Sequence, residues 1–198
     1  MYLLLVAGLP ASGKSTFAAW AAQRLGWPVL GKDDIKECLF DTVGFNCHEE
    51  KRRLDKAATM TMYYAAGQIL ARGQSVVLDN NFWEYSRPEI ARLIEQYGCK
   101  PVTVRFEGDI QTLFNRYETR DKDPNRHLGH VLNCHYPPVE GEEEQEAAER
   151  ETWQSFEAKY RARGTLDFAM GPLIRVDATD FSKLCYDEIL LRVKACME

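Results

Sequence analysis

Short apolar runs alternate along the chain with longer stretches in which apolar residues recur at helical spacing. Five runs have the apolar content expected of strands that are buried on both faces. They span residues 2–7, 28–30, 75–78, 101–106 and 173–176. Between them, residues such as Leu54, Ala58 and Met62 fall on one face of a predicted helix. Strands that alternate with helices predict an α/β fold with a five-stranded parallel sheet and helices on both faces.

Polar residues at the ends of these stretches predict where several helices begin. Ser86 and Glu89 have the spacing of a capping box at the start of one helix. Asp109 and Asp180 are expected to cap two later helices. Residues 121–138 are rich in Pro, Gly, Asp, Asn and His and have no apolar period, so they are predicted to form a loop.

Length and composition restrict the class of protein. A chain of 198 residues suits one domain over 1–198, and no apolar stretch approaches the ~20 residues of a membrane span. The net charge of −5 disfavours bulk electrostatic binding to nucleic acid. Six cysteines without CxxC spacing are expected to be reduced, which predicts a cytoplasmic location. Residues 140–163 are expected to form an acidic helix with a solvated face.

The segment from Gly8 to Ser15 matches the pattern GxxxxGK(S/T) in full, between a predicted strand and a predicted helix. Glycines allow the backbone to point successive N–H groups at one anion, and the helix N-terminus favours phosphate. Lys14 is expected to reach the β- and γ-phosphates of a nucleotide, and the Ser15 hydroxyl is expected to ligate Mg²⁺. The candidate nucleotide-binding residues are Gly8, Pro10, Ala11, Ser12, Gly13, Lys14, Ser15 and Thr16.

With this loop the chain resembles the P-loop kinases. It is most similar to the subgroup that contains polynucleotide 5′-kinase, zeta-type toxins and chloramphenicol phosphotransferase. Three weaker segments extend the resemblance over nearly the whole chain: GKDDIK, Asp79-Asn80-Asn81, and DPNRH followed by Gly129-His130. The resemblance implies the three-layer sandwich of P-loop NTPases, with a small lid over approximately 116–138. It also implies ATP as the nucleotide and Mg²⁺ as the cofactor.

The two carboxylates of GKDDIK follow the second predicted strand, at the end where open α/β sheets bind ligands. Phosphoryl transfer to a hydroxyl benefits from a carboxylate that orients the acceptor and takes its proton. The resemblance implies this role for Asp33, with Asp34 as the second candidate. Alternatively, both carboxylates only start a helix. The subgroup often has Arg where this chain has Lys36, which lacks the bidentate geometry for phosphate.

An apolar strand that ends in Asp79 has the pattern of a Walker B strand. Its carboxylate is expected to hold Mg²⁺ beside Ser15, usually through water. Three aromatic side chains follow: Phe82, Trp83 and Tyr85. They either pack in the core, which is the commoner use of aromatic residues, or stack against a ring of the acceptor.

Three arginines lie in the sequence FNRYETRDKDPNRHLGH, namely Arg116, Arg120 and Arg126. The resemblance implies that this segment closes over the transferred phosphate. Arginine suits that role, because its planar fork pairs with phosphate oxygens and neutralises developing charge. Arg116 and Arg120 lie four residues apart on one helix face, and Arg126 lies in the predicted loop. Each helical arginine is alternatively an ordinary surface charge.

The predicted lid also contains residues of the types that bind zinc. They are His127, His130, Cys134 and His135. Their spacing is not that of a standard zinc site, so a structural Zn²⁺ stays the less favoured alternative.

These residues together predict an ATP- and Mg²⁺-dependent kinase that phosphorylates a hydroxyl group. The acceptor is a small molecule, a nucleotide or the 5′ end of a nucleic acid, and the acidic composition favours the small acceptor. The alternative is an ATP-binding switch or a partner-dependent NTPase. Asp33 distinguishes them, because a switch does not need an acceptor-binding carboxylate at that strand end.

Overall fold

The computed structural model describes residues 1–138 and 151–198. These residues include a sheet of five parallel strands. The strands are β1 (Tyr2–Gly8), β2 (Val29–Gly31), β3 (Val76–Asp79), β4 (Lys100–Glu107) and β5 (Leu173–Asp177). Their spatial order is β2-β3-β1-β4-β5. The predicted strands are therefore confirmed, with each end shifted by one residue at most. The predicted fold class is also confirmed as an α/β fold of the P-loop NTPase type.

Helices connect the strands and cover the sheet. They are α1 (Lys14–Leu25), α2 (Lys32–Val43), α3 (His48–Leu70), α4 (Arg87–Tyr97), α5 (Ile110–Asp121), α6 (Leu128–Val131), α7 (Trp153–Ala162) and α8 (Tyr186–Ala195). Single 3₁₀ turns occupy 84–86, 165–167 and 181–183. In a parallel sheet each crossover leaves a helix on a face, which explains why the strands read as continuous apolar runs.

The central strand β1 shows how both faces of the sheet are buried. Leu4 and Val6 belong to a cluster that also contains side chains of α1 and α8. Leu3, Leu5 and Ala7 belong to a second cluster, with side chains of α3 and α4. All five residues are fully buried. Burial of each Leu or Val side chain contributes about 1.5–3 kcal/mol to stability. Strand β1 therefore stabilises the packing of helices on both faces of the sheet.

The helix starts agree only in part with the predicted caps. Asp109 caps α5 as predicted, since its carboxylate accepts a hydrogen bond of 2.8 Å from a first-turn N–H. Ser86 does not form the predicted capping box, because its hydroxyl accepts instead from the backbone N–H of Trp83. Asp180 caps a 3₁₀ turn at Ser182 rather than α8. Both errors arise because a short 3₁₀ turn precedes the helix.

The segment predicted as a loop over 121–138 is mostly irregular, as predicted, but it also contains regular structure that the prediction missed. It contains the short helix α6, and Gly129 of α6 lies directly on α2. A Cβ at Gly129 would lie 2.3 Å from the ring of Phe40. Farther along, Phe45 and Tyr136 exchange backbone hydrogen bonds of 2.9 and 2.7 Å. These contacts join residues that are distant in sequence, which local composition does not reveal.

The acidic helix predicted over 140–163 is confirmed in its second half by α7. The rest of that prediction, 140–150, lies outside the described residues. Phe156 and Tyr160 of α7 pack in a third apolar cluster with Leu9 of the phosphate loop, so α7 is tied to the same edge of the sheet. No helix in the described part of the chain has the length and apolar character needed to cross a membrane.

Candidate active site

The strand register brings three predicted site segments to one edge of the sheet. Asp79, at the end of β3, pairs with Val6 of β1 on one side and with Gly31 of β2 on the other. The phosphate loop begins at Gly8, two residues after Val6, and Asp33 follows two residues after Gly31. Because parallel strands end at the same edge, Asp79 lies between the phosphate loop and the acidic dipeptide.

The phosphate loop has the strained backbone of a tight anion cradle. Gly8 and Gly13 have φ angles of 140° and 82°, and Ala11 has a φ of 59°, which is unfavourable for a residue with a Cβ. A Cβ at Gly8 would lie 2.3 Å from the carbonyl oxygen of Phe106. Ser12 is fully buried, and its Oγ has no hydrogen-bond partner among the described residues. Strain together with an unsatisfied buried hydroxyl indicates a loop shaped for a ligand.

Lys14 and Asp79 are close enough at this edge for each to shift the pKa of the other. Burial lowers the pKa of Lys14, against the attraction of the Asp79 carboxylate. Burial raises the pKa of Asp79, against the effects of Lys14 and of the Ser15 hydroxyl. Asp79 Oδ1 has no hydrogen-bond partner in the described part of the chain. Hydroxyl and carboxylate oxygens are ligands that suit Mg²⁺, so Ser15 and Asp79 fit that ion. Of the other predicted nucleotide contacts, Pro10 is buried and Thr16 is exposed.

The acidic dipeptide lies in the first turn of α2, not at its cap. The N-cap residue is Gly31, so neither carboxylate caps the helix, although both lie in the turn that starts it. The Asp34 side chain folds back instead, and a Cβ at Gly31 would lie 2.3 Å from its Oδ2. Two carboxylates in the first turn still interact favourably with the helix dipole.

Asp33 is an ionised carboxylate close to three lysine side chains. Its side chain is 51% exposed, and Lys32 Nζ lies 3.0 Å from its Oδ1. Burial by the surrounding protein opposes ionisation, but Lys32, His130, Lys36 and Lys14 outweigh it and hold the pKa of Asp33 well below its usual range. Asp33 therefore combines a permanent negative charge with access for a ligand.

A carboxylate that the sequence did not single out fixes this arrangement. Asp55 of α3 lies 2.9 Å from Lys32 Nζ and 2.9 Å from Lys36 Nζ. Burial lowers the pKa of Lys32, but Asp33 and Asp55 outweigh it, so the pKa is raised and the ammonium stays charged. The i, i+4 spacing of the two lysines was visible in the sequence. Their shared partner was not, because it comes from another helix.

Two arginines of the predicted lid are held by long, loose ion pairs. Arg126 Nε lies 3.6 Å from Asp121, and its Nη1 lies 3.8 Å from Glu37. Arg120 Nε lies 3.7 Å from Asp121. These distances exceed those of hydrogen bonds. Both Nε atoms are buried without a hydrogen-bond partner among the described residues. Buried donors in this condition cost about 1–3 kcal/mol each, a cost that a phosphate oxygen would remove.

These two arginines are within electrostatic range of other predicted site residues. Arg120 is close enough to Lys14 to lower its pKa. Burial and Arg120 lower the pKa of Arg126, while Asp33 opposes them. The structure thus brings Lys14, Asp33, Arg120 and Arg126 into one electrostatic cluster.

Arg116 has a different environment. Its guanidinium donates hydrogen bonds of 2.6 and 2.7 Å to the carbonyl oxygens of Ala178 and Thr179. It also lies 3.8 Å from the centre of the Phe181 ring, which itself lies next to Gly13. These contacts join α5 to the segment that follows β5. The catalytic role of Arg116 stays a prediction.

The histidines of the lid join it to α2. His127 Nδ1 accepts from the Gly129 N–H, and its Nε2 lies 3.0 Å from Asp41. His130 Nε2 lies 2.7 Å from Glu37, and burial lowers the pKa of His130 to about 3. Within 1–138 and 151–198, no three His, Cys, Asp or Glu side chains are grouped as metal ligands. The described contacts therefore do not support the zinc alternative.

A buried lysine of α3 also holds the lid. Lys51 Nζ donates to the carbonyl oxygens of His130 and Leu132 and to Asn133 Oδ1. Burial and the nearby charge of Lys36 lower the pKa of Lys51 to about 8. No pattern in the sequence had indicated a role for Lys51.

The aromatic triplet after β3 divides into core and surface. Phe82 is fully buried, and its ring stacks on Phe168 with centroids 5.0 Å apart, so it belongs to the core. Trp83 is only partly buried, and Tyr85 is exposed. The two rings meet edge to face at 5.1 Å.

Comparison with solved structures supports the fold. A crystal structure of a kinase candidate from Chloroflexus aurantiacus J-10-fl is 28% identical, with a TM-score of 0.80, and the match covers 100% of this chain and 98% of that one. A sugar kinase from Janibacter sp. HTCC2649 is 13% identical, with a TM-score of 0.56 and coverages of 100% and 94%. A gluconokinase from Sinorhizobium meliloti 1021 is 16% identical, with a TM-score of 0.52 and coverages of 99% and 90%. The last two likenesses bear on the fold alone.

The family comparison covers the phosphate loop, the acidic dipeptide, Asp79 and most of the predicted lid. No curated protein matches the chain. A family model described as an AAA domain matches residues 3–133, which is well over half of the chain. The chain belongs to the AAA domain family.

Proposed function

We propose that this protein is an ATP- and Mg²⁺-dependent phosphotransferase that moves the γ-phosphoryl group of ATP to a hydroxyl group. The acceptor is a small molecule or a nucleotide, with a nucleic-acid 5′-hydroxyl as the less favoured class. A P-loop kinase accounts for the phosphate loop, the acidic dipeptide and the arginine pair together. The kinase candidate at 28% identity supports this reading.

The observation that carries the proposal is the placement of Asp33. Its carboxylate is ionised and half exposed, and it lies in the same electrostatic cluster as Lys14. Nucleotide binding and hydrolysis do not require a second carboxylate there, whereas phosphoryl transfer to an alcohol does. An ATP-binding switch would leave this residue only its ion pair with Lys32.

The residues of the loop and of β3 bind and orient ATP. The backbone N–H groups of the loop and Lys14 hold the phosphates. Ser15 and Asp79 would hold Mg²⁺, which when bound neutralises charge on the β- and γ-phosphates. The buried, unpaired oxygen of Asp79 supports this assignment.

In the proposed step the acceptor oxygen forms a bond to the γ-phosphorus as the bond from that phosphorus to the bridging oxygen breaks. ADP leaves, and the hydroxyl proton passes to the Asp33 carboxylate and then to solvent. Because the pKa of Asp33 is low, its main contribution is to orient the hydroxyl. A loose transition state needs little base strength, so a weak base is sufficient.

Arg120 and Arg126 would stabilise the transferred group. Their unsatisfied Nε donors are already in the cluster and lack strong partners. Charge-assisted hydrogen bonds to the γ-phosphoryl oxygens would strengthen in the transition state, as catalysis requires.

The test is ATP consumption with Mg²⁺ across nucleosides, nucleotides, sugars, sugar acids, antibiotics and 5′-hydroxyl oligonucleotides. Wild type should be stimulated by one acceptor class, and Asp33→Asn should retain ATP affinity but lose that stimulation. Asp34→Asn runs as the matched variant, since it removes the neighbouring carboxylate of the same helix turn.

The outcomes separate the two functions. Stimulation lost in Asp33→Asn and retained in Asp34→Asn supports the kinase and identifies the carboxylate. Stimulation that persists in Asp33→Asn refutes the assigned role. If no acceptor stimulates wild type while Lys14→Ala abolishes ATP binding, the switch reading is favoured.

A further inference from the structure

One arginine near this site is held by aromatic rings instead of carboxylates. Arg163 follows the last turn of α7, and its guanidinium carbon lies 4.1 Å from the centre of the Trp83 ring. The Tyr160 ring lies on another side, at 5.9 Å. An aromatic face holds a guanidinium plane in a defined position and leaves its edge N–H groups free to donate.

The charge of Arg163 is unpaired in the described part of the chain. No carboxylate of residues 1–138 or 151–198 lies within ion-pair distance of it. The adjacent Glu84, whose N–H bonds to the carbonyl oxygen of Arg163, pairs instead with Arg87 at 2.8 Å. Arg161, two residues earlier, has its own partner in Glu157 at 2.7 Å. Among the described residues, Arg163 is thus a partly buried cation without a counter-ion, while Glu84 and Glu157 pair with other arginines.

The position of Trp83 places Arg163 at the same edge of the sheet as the proposed acceptor site. Trp83 lies four residues after Asp79 at the end of β3, and Asp79 pairs with Gly31, two residues before Asp33. The Trp83 ring also meets the Tyr85 ring edge to face at 5.1 Å.

Two phenols are consistent with this placement. Burial raises the pKa of Tyr160, and among its charged neighbours Arg163 lowers it and Asp33 raises it. Burial also raises the pKa of Tyr85, with further effects from Asp55, Lys32 and Arg163. Each phenol oxygen is therefore within electrostatic range of Arg163 and of the cluster that contains Asp33.

We propose that Arg163 binds an anionic group of the acceptor whose hydroxyl is oriented by Asp33. The acceptor is then an alcohol that also carries a carboxylate or a phosphate. This inference rests on the proposed function. The guanidinium fork matches either anion through two parallel hydrogen bonds, and the hydroxyl of the exposed Tyr85 suits the polar body of such a molecule. A neutral alcohol would leave the Arg163 guanidinium without an anionic partner.

Anion binding tests the subsite without requiring turnover. Inorganic phosphate and acetate are titrated by NMR into protein saturated with a non-hydrolysable ATP analogue and Mg²⁺. Wild type should bind at least one anion, and Arg163→Gln should bind it about 10-fold more weakly or worse. Arg161→Gln, from the same helix end, should match wild type. Equal affinity in wild type and Arg163→Gln, or no binding to wild type, overturns the proposal.

Turnover then distinguishes the source of the anion. D-Gluconate, D-glucose 6-phosphate and D-glucose share a six-carbon polyol and differ in the anionic group. The anionic substrates should be preferred, and Arg163→Gln should raise their KM by about 10- to 100-fold with little change in kcat. A preference for glucose, or a KM insensitive to Arg163→Gln, overturns the subsite and leaves the kinase intact. Anion binding that depends on Arg163 without turnover of any acceptor refutes the kinase and leaves the subsite.

Discussion

Replacement of Gly8 by alanine tests whether the shape of the phosphate loop depends on the packing of two central strands. Gly8 has a φ of 140°, and an added Cβ would lie 2.3 Å from the carbonyl oxygen of Phe106 on β4. Cβ atoms in proteins essentially never lie within 3.0 Å of a heavy atom from a non-neighbouring residue. The two strands must therefore separate by several tenths of an ångström. The partner is backbone, and no side-chain rotation relieves the contact.

Two contributions determine the magnitude. A residue with a Cβ in this backbone region costs about 1–3 kcal/mol, and overpacking costs a further 1–3 kcal/mol or so. We therefore expect Gly8→Ala to lower the free energy of unfolding by about 2–6 kcal/mol. The displaced loop should weaken ATP binding about 10-fold or more, since sub-ångström changes in binding geometry have large effects.

Gly26→Ala is the matched control. Gly26 has a φ of 67°, but nothing lies within 4 Å of its added Cβ. Gly26→Ala should lower the free energy of unfolding by only about 1–2 kcal/mol, the cost of a left-handed backbone at a residue with a Cβ. Its ATP affinity should be unchanged. Urea unfolding gives the stabilities, and calorimetric titration of ATP with Mg²⁺ gives the affinities. Equal losses of stability and affinity in the two variants would refute the role of the Phe106 contact.

Three further predictions concern the lid and the acidic dipeptide. Gly129→Ala should lower kcat and spare ATP affinity, because its Cβ would lie 2.3 Å from the buried Phe40 ring; adding Phe40→Leu should restore kcat. With the pKa of Asp33 well below its usual range, turnover should show no titration of this group between pH 5 and 8. A midpoint in that window, assigned to the Asp33 carboxyl group by NMR titration, would contradict the electrostatic description. Lys51, whose pKa is lowered from 10.5 to about 8, releases its proton earlier in the native than in the unfolded state, so its contribution to stability should rise between pH 8 and 10.5. Urea unfolding at pH 8 and at pH 10.5 measures this change. Between these pH values the free energy of unfolding of wild type should rise by up to about 3 kcal/mol relative to that of Lys51→Met.

The strands and the phosphate loop were predictable from the sequence because their determinants are local. A strand buried on both faces must be a continuous apolar run, as Leu3 to Ala7 is. The loop must place glycine at Gly8 and Gly13, where positive φ angles are required. These requirements act over a few neighbouring residues and leave a readable pattern.

Helix caps and the lid were less predictable, because competing local contacts and distant partners decide them. Ser86 has the right neighbours for a capping box, but its hydroxyl bonds within a preceding 3₁₀ turn. Composition predicted a loop over 121–138, whereas contacts such as that of Gly129 with Phe40 order a short helix there. The composition of a segment shows whether it has an apolar period of its own. It does not show which contacts another element provides.

The sequence by itself determined the α/β class, the phosphate-binding loop and the candidate carboxylates Asp33 and Asp79. Only the tertiary structure decided which residues surround them. Asp55 on α3 pairs with Lys32 beside Asp33, and Arg163 lies against the Trp83 ring. Local patterns record backbone geometry and burial, whereas the charge state and orientation of a side chain depend on partners from other elements. Those partners are brought together only when the sheet and its helices pack.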